Sequence, residues 1–279
     1  AINWVNGQKI YNSHFFETYY NVIEMLRQNR EESLTSYNYG FGEKLEKAES
    51  SIDLDIKGET AETLSVQLKS CNAVTRNGFH ILFTKELYGD FTPECTLNGV
   101  DIDLAARQVL CILLTVNPYK MLPVGIPDPE TTPLHHPYVL PEITIQLVLE
   151  QNLNKAFLEG NSIIAGKIVV DGGAFTTDID YIPAIQRIDC SEKAITFLEY
   201  MTTTLERIHD NALKVYSKNV SNSHRSILAD NTFVICDVVK NFYGRHIFEL
   251  KNIVKEQSPV HIVHLANALA NLMLTSLRS

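Results

Sequence analysis

Leu64-Ser65-Val66-Gln67-Leu68-Lys69 alternates apolar and polar side chains with a period of two. That is the pattern of a β-strand with one face in a core and one facing out. The same period returns in Ile143, Ile145, Leu147 and Leu149, which alternate with Thr144, Gln146 and Val148. Turn signals at Asn77-Gly78, Asn98-Gly99 and Gly172-Gly173 divide the region from about 50 to 185 into short strands. Several short strands at this spacing predict a sandwich or a barrel. Pro118 to Pro141, with five further prolines between them, interrupts the pattern and is expected to form a surface loop.

Upstream, residues 1–10 read as a short strand and a turn at Asn6-Gly7. Residues 13–30 read as a helix, because Phe15, Tyr19, Val22, Ile23 and Leu26 share one face at helical spacing. The aromatic cluster Trp4, Tyr11, Phe15, Phe16, Tyr19 and Tyr20 is more than one stripe can bury. It is read either as a core face or as an interface with another chain.

Downstream the period changes at 189. Asp189-Cys190-Ser191-Glu192 has capping-box spacing and is expected to start a helix. Leu198, Met201, Leu205, Ile208, Ala212 and Val215 then recur at steps of three and four, a heptad seam. A break is expected at Asn219–Ser223, a second helix over Ser226–Phe242 running on toward Val254, and a third from Pro259 to about Leu277. The seam Leu198, Met201, Leu205, Ile208 and Val215 is assigned either to contacts between copies of the chain or to its own second and third helices. The fold class is therefore α+β and multidomain: a β domain over 1–187 and a helical bundle over 188–279.

Composition limits the function. The 279 residues are 45% hydrophobic and 20% charged, enough for a sizeable core. The formal net charge of -9, with no offsetting basic stretch, argues against nucleic acid as a partner. The five cysteines Cys71, Cys95, Cys111, Cys190 and Cys236 form no C-x-x-C pair and read as reduced, buried thiols. The longest apolar run is about ten residues, short of the roughly 20 needed to span a bilayer. With no recognisable signal peptide, the expected location is cytoplasmic.

No phosphate-binding loop, nucleophile elbow, zinc-protease motif or dinucleotide fingerprint occurs. His135-His136, near Asp128 and Glu130, has the right donors for a metal or acid–base site. Adjacent histidines on extended backbone point apart, however, which favours a loop role. His261 and His264 share a helical face without an evident third ligand. No catalytic residue, metal or cofactor is therefore assigned. An enzyme, most plausibly a metal hydrolase on His135, His136 and Asp128, remains an alternative.

The opening Trp4-Val5-Asn6-Gly7-Gln8-Lys9-Ile10-Tyr11-Asn12-Ser13-His14-Phe15 resembles the start of the type VI secretion baseplate family TssK. Trp4, Gly7, Ile10, His14 and Phe15 match its pattern. Asn12-Ser13 stand where that family has Pro-Gln, and Asn6 where an acidic residue is usual. Tyr39-Gly40-Phe41-Gly42, Cys71 to Gly78, Pro123 to Pro129, His136-Pro137-Tyr138 and Tyr181-Ile182-Pro183 follow in the family's order. The resemblance implies a β-sandwich like the shoulder domain of phage receptor-binding proteins, followed by a helical bundle. It also implies a homotrimer that docks on the baseplate wedge subunits, at the baseplate near the inner membrane. Trp4, Gly7, His14 and Phe15 are the residues it marks for the wedge. Relatives reach the membrane-anchoring complex through a C-terminal domain that would begin about where Ser279 stands, so that contact is not carried over. The alternative is a phage-tail-like receptor-binding protein recognising a surface ligand through the sandwich.

Overall fold

The computed structural model describes residues 2–60, 63–99, 106–154, 160–220 and 227–278. The chain divides into two compact units, Ala1–Ala184 and Ile185–Ser279.

In the first unit, helix α1 (Asn12–Ser33) precedes nine strands among the described residues. These are β1 (Gly40–Phe41), β2 (Ile52–Thr60), β3 (Thr63–Val74), β4 (His80–Thr84), β5 (Glu94–Asn98), β6 (Gln108–Val124), β7 (Tyr138–Leu149), β8 (Ser162–Asp171) and β9 (Ala174–Thr177). A short helix α2 (Lys85–Tyr88) follows β4. All pairings are antiparallel. One sheet is built around β3, with β2 and β1 along one side and β5 and β4 along the other. The second runs β7-β6-β8-β9. β3 and β5 touch β7, and β4 touches β6, so the two sheets face each other as a sandwich.

The period-two reading holds where a strand has one covered face. Leu64, Val66 and Leu68 are fully buried while their alternate neighbours are only partly covered. β6 breaks the alternation: Leu110 to Leu114 are all buried, as befits a central strand covered on both faces. The Gly172-Gly173 turn has positive φ at both residues, 55° and 81°, and joins β8 to β9 as a two-residue hairpin.

Two expectations for this unit are corrected. Residues 2–10 form no strand; only the turn at Asn6-Gly7 is present. The proline-rich stretch is not loop throughout, because β6 runs through Pro123 and β7 starts at Tyr138, with Met121 opposite Pro141 and Pro123 opposite Val139. Only 125–137 is loop. β7 is the edge strand of its sheet, so Pro141 needs no partner on its outer side, and on β6 the prolines come after β8 stops pairing at Thr115, opposite Ser162. Beyond Val116, whose N–H still donates to the Asn161 carbonyl at 3.0 Å, β6 and β7 make a two-stranded ribbon with no third strand among the described residues, where a missing N–H costs no ladder bond. A bulge between Asn117 and Met121 absorbs Pro118, and Lys120 reaches Glu142 across it at 2.6 Å.

The second unit contains α3 (Glu192–Val220), α4 (Ile227–Asn252) and α5 (Val260–Arg278). α3 and α4 are antiparallel. Tyr216 stacks on Phe233 at 4.3 Å, the His209 ring on Tyr243 at 3.8 Å, and Glu206 pairs with Lys251 at 2.6 Å. Pro259, expected as the first residue of the third helix, stands directly before α5, one residue after Ser258, whose carbonyl accepts from the His261 N–H. The start of α3 is corrected. Asp189 lies in a 3-10 turn (Ile188–Cys190) and pairs with Arg187 at 3.0 Å, and the capping oxygen is that of Ser191, 3.5 Å from the Ala194 N–H. The expected break at Asn219–Ser223 falls mostly outside the described residues, and so does Ser226; α3 itself continues to Val220.

Candidate docking surface and helical seam

His14 organises the N-terminus. Its Nδ1 accepts the Tyr11 N–H at 3.2 Å, so a residue in the first turn reaches back to cap the helix start. Its ring meets Trp4 edge-on at 5.5 Å and Tyr11 at 5.7 Å. Gly7, at φ 82°, makes the turn that brings Trp4 back to His14. Trp4, Gly7 and His14 therefore form one local cluster. Phe15 points elsewhere, onto a surface hollow shared with Phe16, Tyr19 and Val139 of β7.

No residue of α1 is buried. Phe15 is 62% exposed and Trp4 53%, while Tyr11, Phe16, Tyr19, Met25 and Leu26 are exposed as well. Tyr20 alone of the six aromatics is half-buried, against Tyr119 at 5.5 Å. α1 is instead held by polar contacts along its second half. The Tyr20 hydroxyl donates to the Tyr119 carbonyl at 3.3 Å, and the Tyr119 hydroxyl donates to Glu24. Arg27 donates to Asn77 Oδ1 and its carbonyl at 3.3–3.4 Å, and its guanidinium lies 5.6 Å above the Phe79 ring. Gly78 permits this approach, since a Cβ there would lie 2.6 Å from the Arg27 carbonyl oxygen. The Tyr119 and Arg27 hydrogen bonds hold the Glu24 carboxyl below its ordinary range.

In the bundle, Leu198, Leu205 and Ala212 are buried within the chain itself. Ile208 and Tyr216 pack against a cluster of Ala212, Cys236 and Val239. Met201, Leu205 and Ile208 also line an open apolar cleft of about 70 Å³ between α3 and α5. Val215 is 37% exposed, and in that turn it is Tyr216 that packs on the chain's own Ala212 cluster. The reason is geometric. Eighteen residues make about five turns of a straight α-helix, so Tyr216 returns to the line of Leu198, whereas a strict heptad drifts away from it.

The histidine pairs have local partners. His135 Nδ1 lies 2.7 Å from the Pro133 carbonyl and His136 Nδ1 2.8 Å from the Gly125 carbonyl. Asp128 Oδ1 accepts the Glu130 N–H at 2.9 Å, closing a turn of its own loop. His261 and His264 are exposed on α5. Among the described residues no three His, Cys, Asp or Glu side chains gather as a metal-binding group. None of the five cysteines is in a disulfide. Cys71, Cys111 and Cys236 are buried, but Cys95 and Cys190 are only partly so, which corrects the expectation for those two. Burial pushes the Cys190 thiol up to about 11. No helix among the described residues is long and apolar enough to cross a membrane.

No protein-family model and no curated protein matches the chain. Solved structures do. A crystal structure of TssK aligns over 99% of this chain at 13% identity and a TM-score of 0.62, and the chain spans 62% of that protein's length. TssK of the EAEC type VI secretion system, solved with a nanobody, aligns over 93% of this chain and 86% of that one, at 14% identity and a TM-score of 0.55. A chain of the TssK-TssF-TssG baseplate subcomplex aligns over 98% and 86%, at 13% identity and a TM-score of 0.53. Both the sandwich and the bundle lie within these alignments, and the chain has the fold of the type VI secretion baseplate protein TssK.

Proposed function

We propose that this chain is a structural subunit of a type VI secretion baseplate, that it is not an enzyme, and that it works as a homotrimer in the cytoplasm, at the baseplate near the inner membrane. The observation that carries the reading is the match to TssK structures over nearly the whole chain, sandwich and bundle together, including one within a TssK-TssF-TssG baseplate subcomplex. In this reading the two units are separate working parts. The sandwich unit presents Trp4, Gly7, His14 and Phe15 to wedge subunits of the TssF and TssG kind. The exposure of Trp4 and Phe15, with Tyr11, Phe16 and Tyr19 around them and no residue of α1 buried, supports that role, because exposed aromatics in such number serve partner contacts.

The bundle unit sets the copy number. Leu198 and Leu205 are spent inside the chain, so the surface left for a second copy is the cleft at Met201 and Ile208 together with the exposed Phe197, Tyr200 and Val215 on α3. Closed rotational symmetry lets each copy bury the same seam.

The test is light scattering over a dilution series, followed by co-purification with wedge subunits of the TssF and TssG kind. A concentration-stable trimer that retains the wedge, and loses it when Phe15 is replaced by Asp, supports the reading. A monomer at all concentrations that retains no wedge subunit overturns it.

A further inference from the structure

Beneath α1, within the sandwich unit, lies a cavity of about 220 Å³. Its walls are mostly apolar and include Ile23 and Leu26 of α1, Leu82 of β4, Leu87 of α2, Val116 of β6 and Leu140 of β7. Two nitrogen bases border it, Arg30 and His80. Arg27 also borders it, but its guanidinium is engaged by Glu24 at 2.9 Å and Glu31 at 2.7 Å. Arg30 has no such carboxylate among the described residues, and lies exposed at the rim. His80 uses Nε2 on Asn72 Oδ1 at 2.9 Å, which leaves Nδ1 uncommitted. Desolvation and the nearby Arg30 charge hold the His80 imidazole below its ordinary range, which favours its neutral form and leaves Arg30 to supply the positive charge at this corner.

An uncompensated guanidinium beside an apolar cavity calls for a ligand that is apolar at one end and anionic at the other. We propose that this cavity binds a small amphipathic monocarboxylate, with its hydrocarbon body between Ile23, Leu82 and Val116 and its carboxylate on Arg30, beside the His80 ring. A planar fork such as Arg30 matches the two oxygens of a carboxylate. An apolar cavity of ~150 Å³ accommodates benzene, so this one takes a body on the order of nine heavy atoms. The assignment is independent of the baseplate reading, since it uses only the space under α1.

The probe is 3-phenylpropionate, titrated into the full chain and followed by calorimetry and by the His80 ring resonances. Saturable binding with a His80 shift is expected. The alcohol of the same skeleton, 3-phenylpropanol, and the Arg30→Gln variant with the acid should each bind about tenfold more weakly or worse, the loss of one charge-assisted contact. Leu26→Trp, which fills the cavity from a half-exposed helix position, should abolish binding. Absence of saturation by about 10 mM, well above the range of specific ligands, overturns the proposal. So does equal affinity for acid and alcohol, or an Arg30→Gln variant that binds as the parent does. Arg30 makes no ion pair among the described residues, so that variant tests the site even where Leu26→Trp disturbs α1.

Discussion

Leu205 offers the sharpest test of the bundle. It is 5% exposed and borders the apolar cleft with Phe242, Leu250, Ile262 and Leu265, so all three helices meet at its side chain. Leu205→Ala removes that burial and enlarges a gap already present; because the cleft is open rather than sealed, the cost belongs near the lower end of the usual range, about 3 kcal/mol. Leu205→Asp loses the same contacts and adds a charge. The carboxyl responds to its apolar surroundings with a raised folded-state pKa, and each unit of that rise costs about 1.4 kcal/mol at neutral pH. One to two units bring the total to about 5 kcal/mol, a large part of a typical domain's stability. A raised folded pKa makes the extra penalty fully present above that pKa, and it fades as pH falls toward the unfolded value. Urea denaturation followed by helical circular dichroism at pH 7 and pH 4 reads both terms. The Asp variant should be the weaker at pH 7 and approach the Ala variant at pH 4. Both losses should be independent of protein concentration, because the residue is buried by its own chain. Two variants within about 1 kcal/mol of the parent at pH 7 would refute the assignment, and so would an Asp penalty unchanged at pH 4.

Val215→Ala should leave bundle stability within about 0.5 kcal/mol of the parent, whereas Tyr216→Ala should cost about 2 kcal/mol; thermal melts of the two variants compare the drifted heptad position with its replacement. Gly78→Ala imposes a side chain at φ 85° and 2.6 Å from the Arg27 carbonyl oxygen, so it should lower stability by about 2 kcal/mol and speed hydrogen exchange along the second half of α1. Tyr119→Phe removes the hydrogen bond that holds the Glu24 carboxyl low, costing about 1 kcal/mol at pH 7. Because that folded-state pKa is depressed, the stabilisation is present above the unfolded value and lost as pH falls through the folded one, so parent and variant should converge in acid denaturation curves.

What the sequence made legible follows from how local each signal is. Leu64, Val66 and Leu68 report one buried face, and two residues of context suffice to read them. The Asn77-Gly78 and Gly172-Gly173 turns are equally local, since glycine supplies positive φ. β6 was harder, because five consecutive buried residues from Leu110 to Leu114 carry no period at all. The prolines misled for a non-local reason. Whether Pro123 can sit in a strand depends on where β8 stops, and Pro141 on β7 being the edge of its sheet, neither of which residues 118–141 encode. Packing within the chain follows the three-four spacing of the seam up to Ala212 and then passes to Tyr216, where that spacing and the true helical repeat part company. The aromatic surplus of residues 4–20 was visible as a surplus, but its exposure depends on α1 being fastened by Tyr119, Asn77 and Phe79, far away in the chain. The cavity beneath α1 had no sequence signature, because it is space between elements brought together only by folding.

The two-stranded ribbon of β6 and β7 carries one more consequence. A lone pair of strands is marginal in water, and beyond Thr115 this pair has no third strand to lean on. Tyr119 braces it against α1, engaging the helix through its carbonyl, ring and hydroxyl, and Tyr88 donates to the Pro141 carbonyl at 2.9 Å. Ribbon and helix therefore share part of their stability: loosening either one weakens the other. A partner that grips α1 thereby stiffens the proline-rich tip at residues 125–137 without touching it, and one that pulls α1 away slackens the tip.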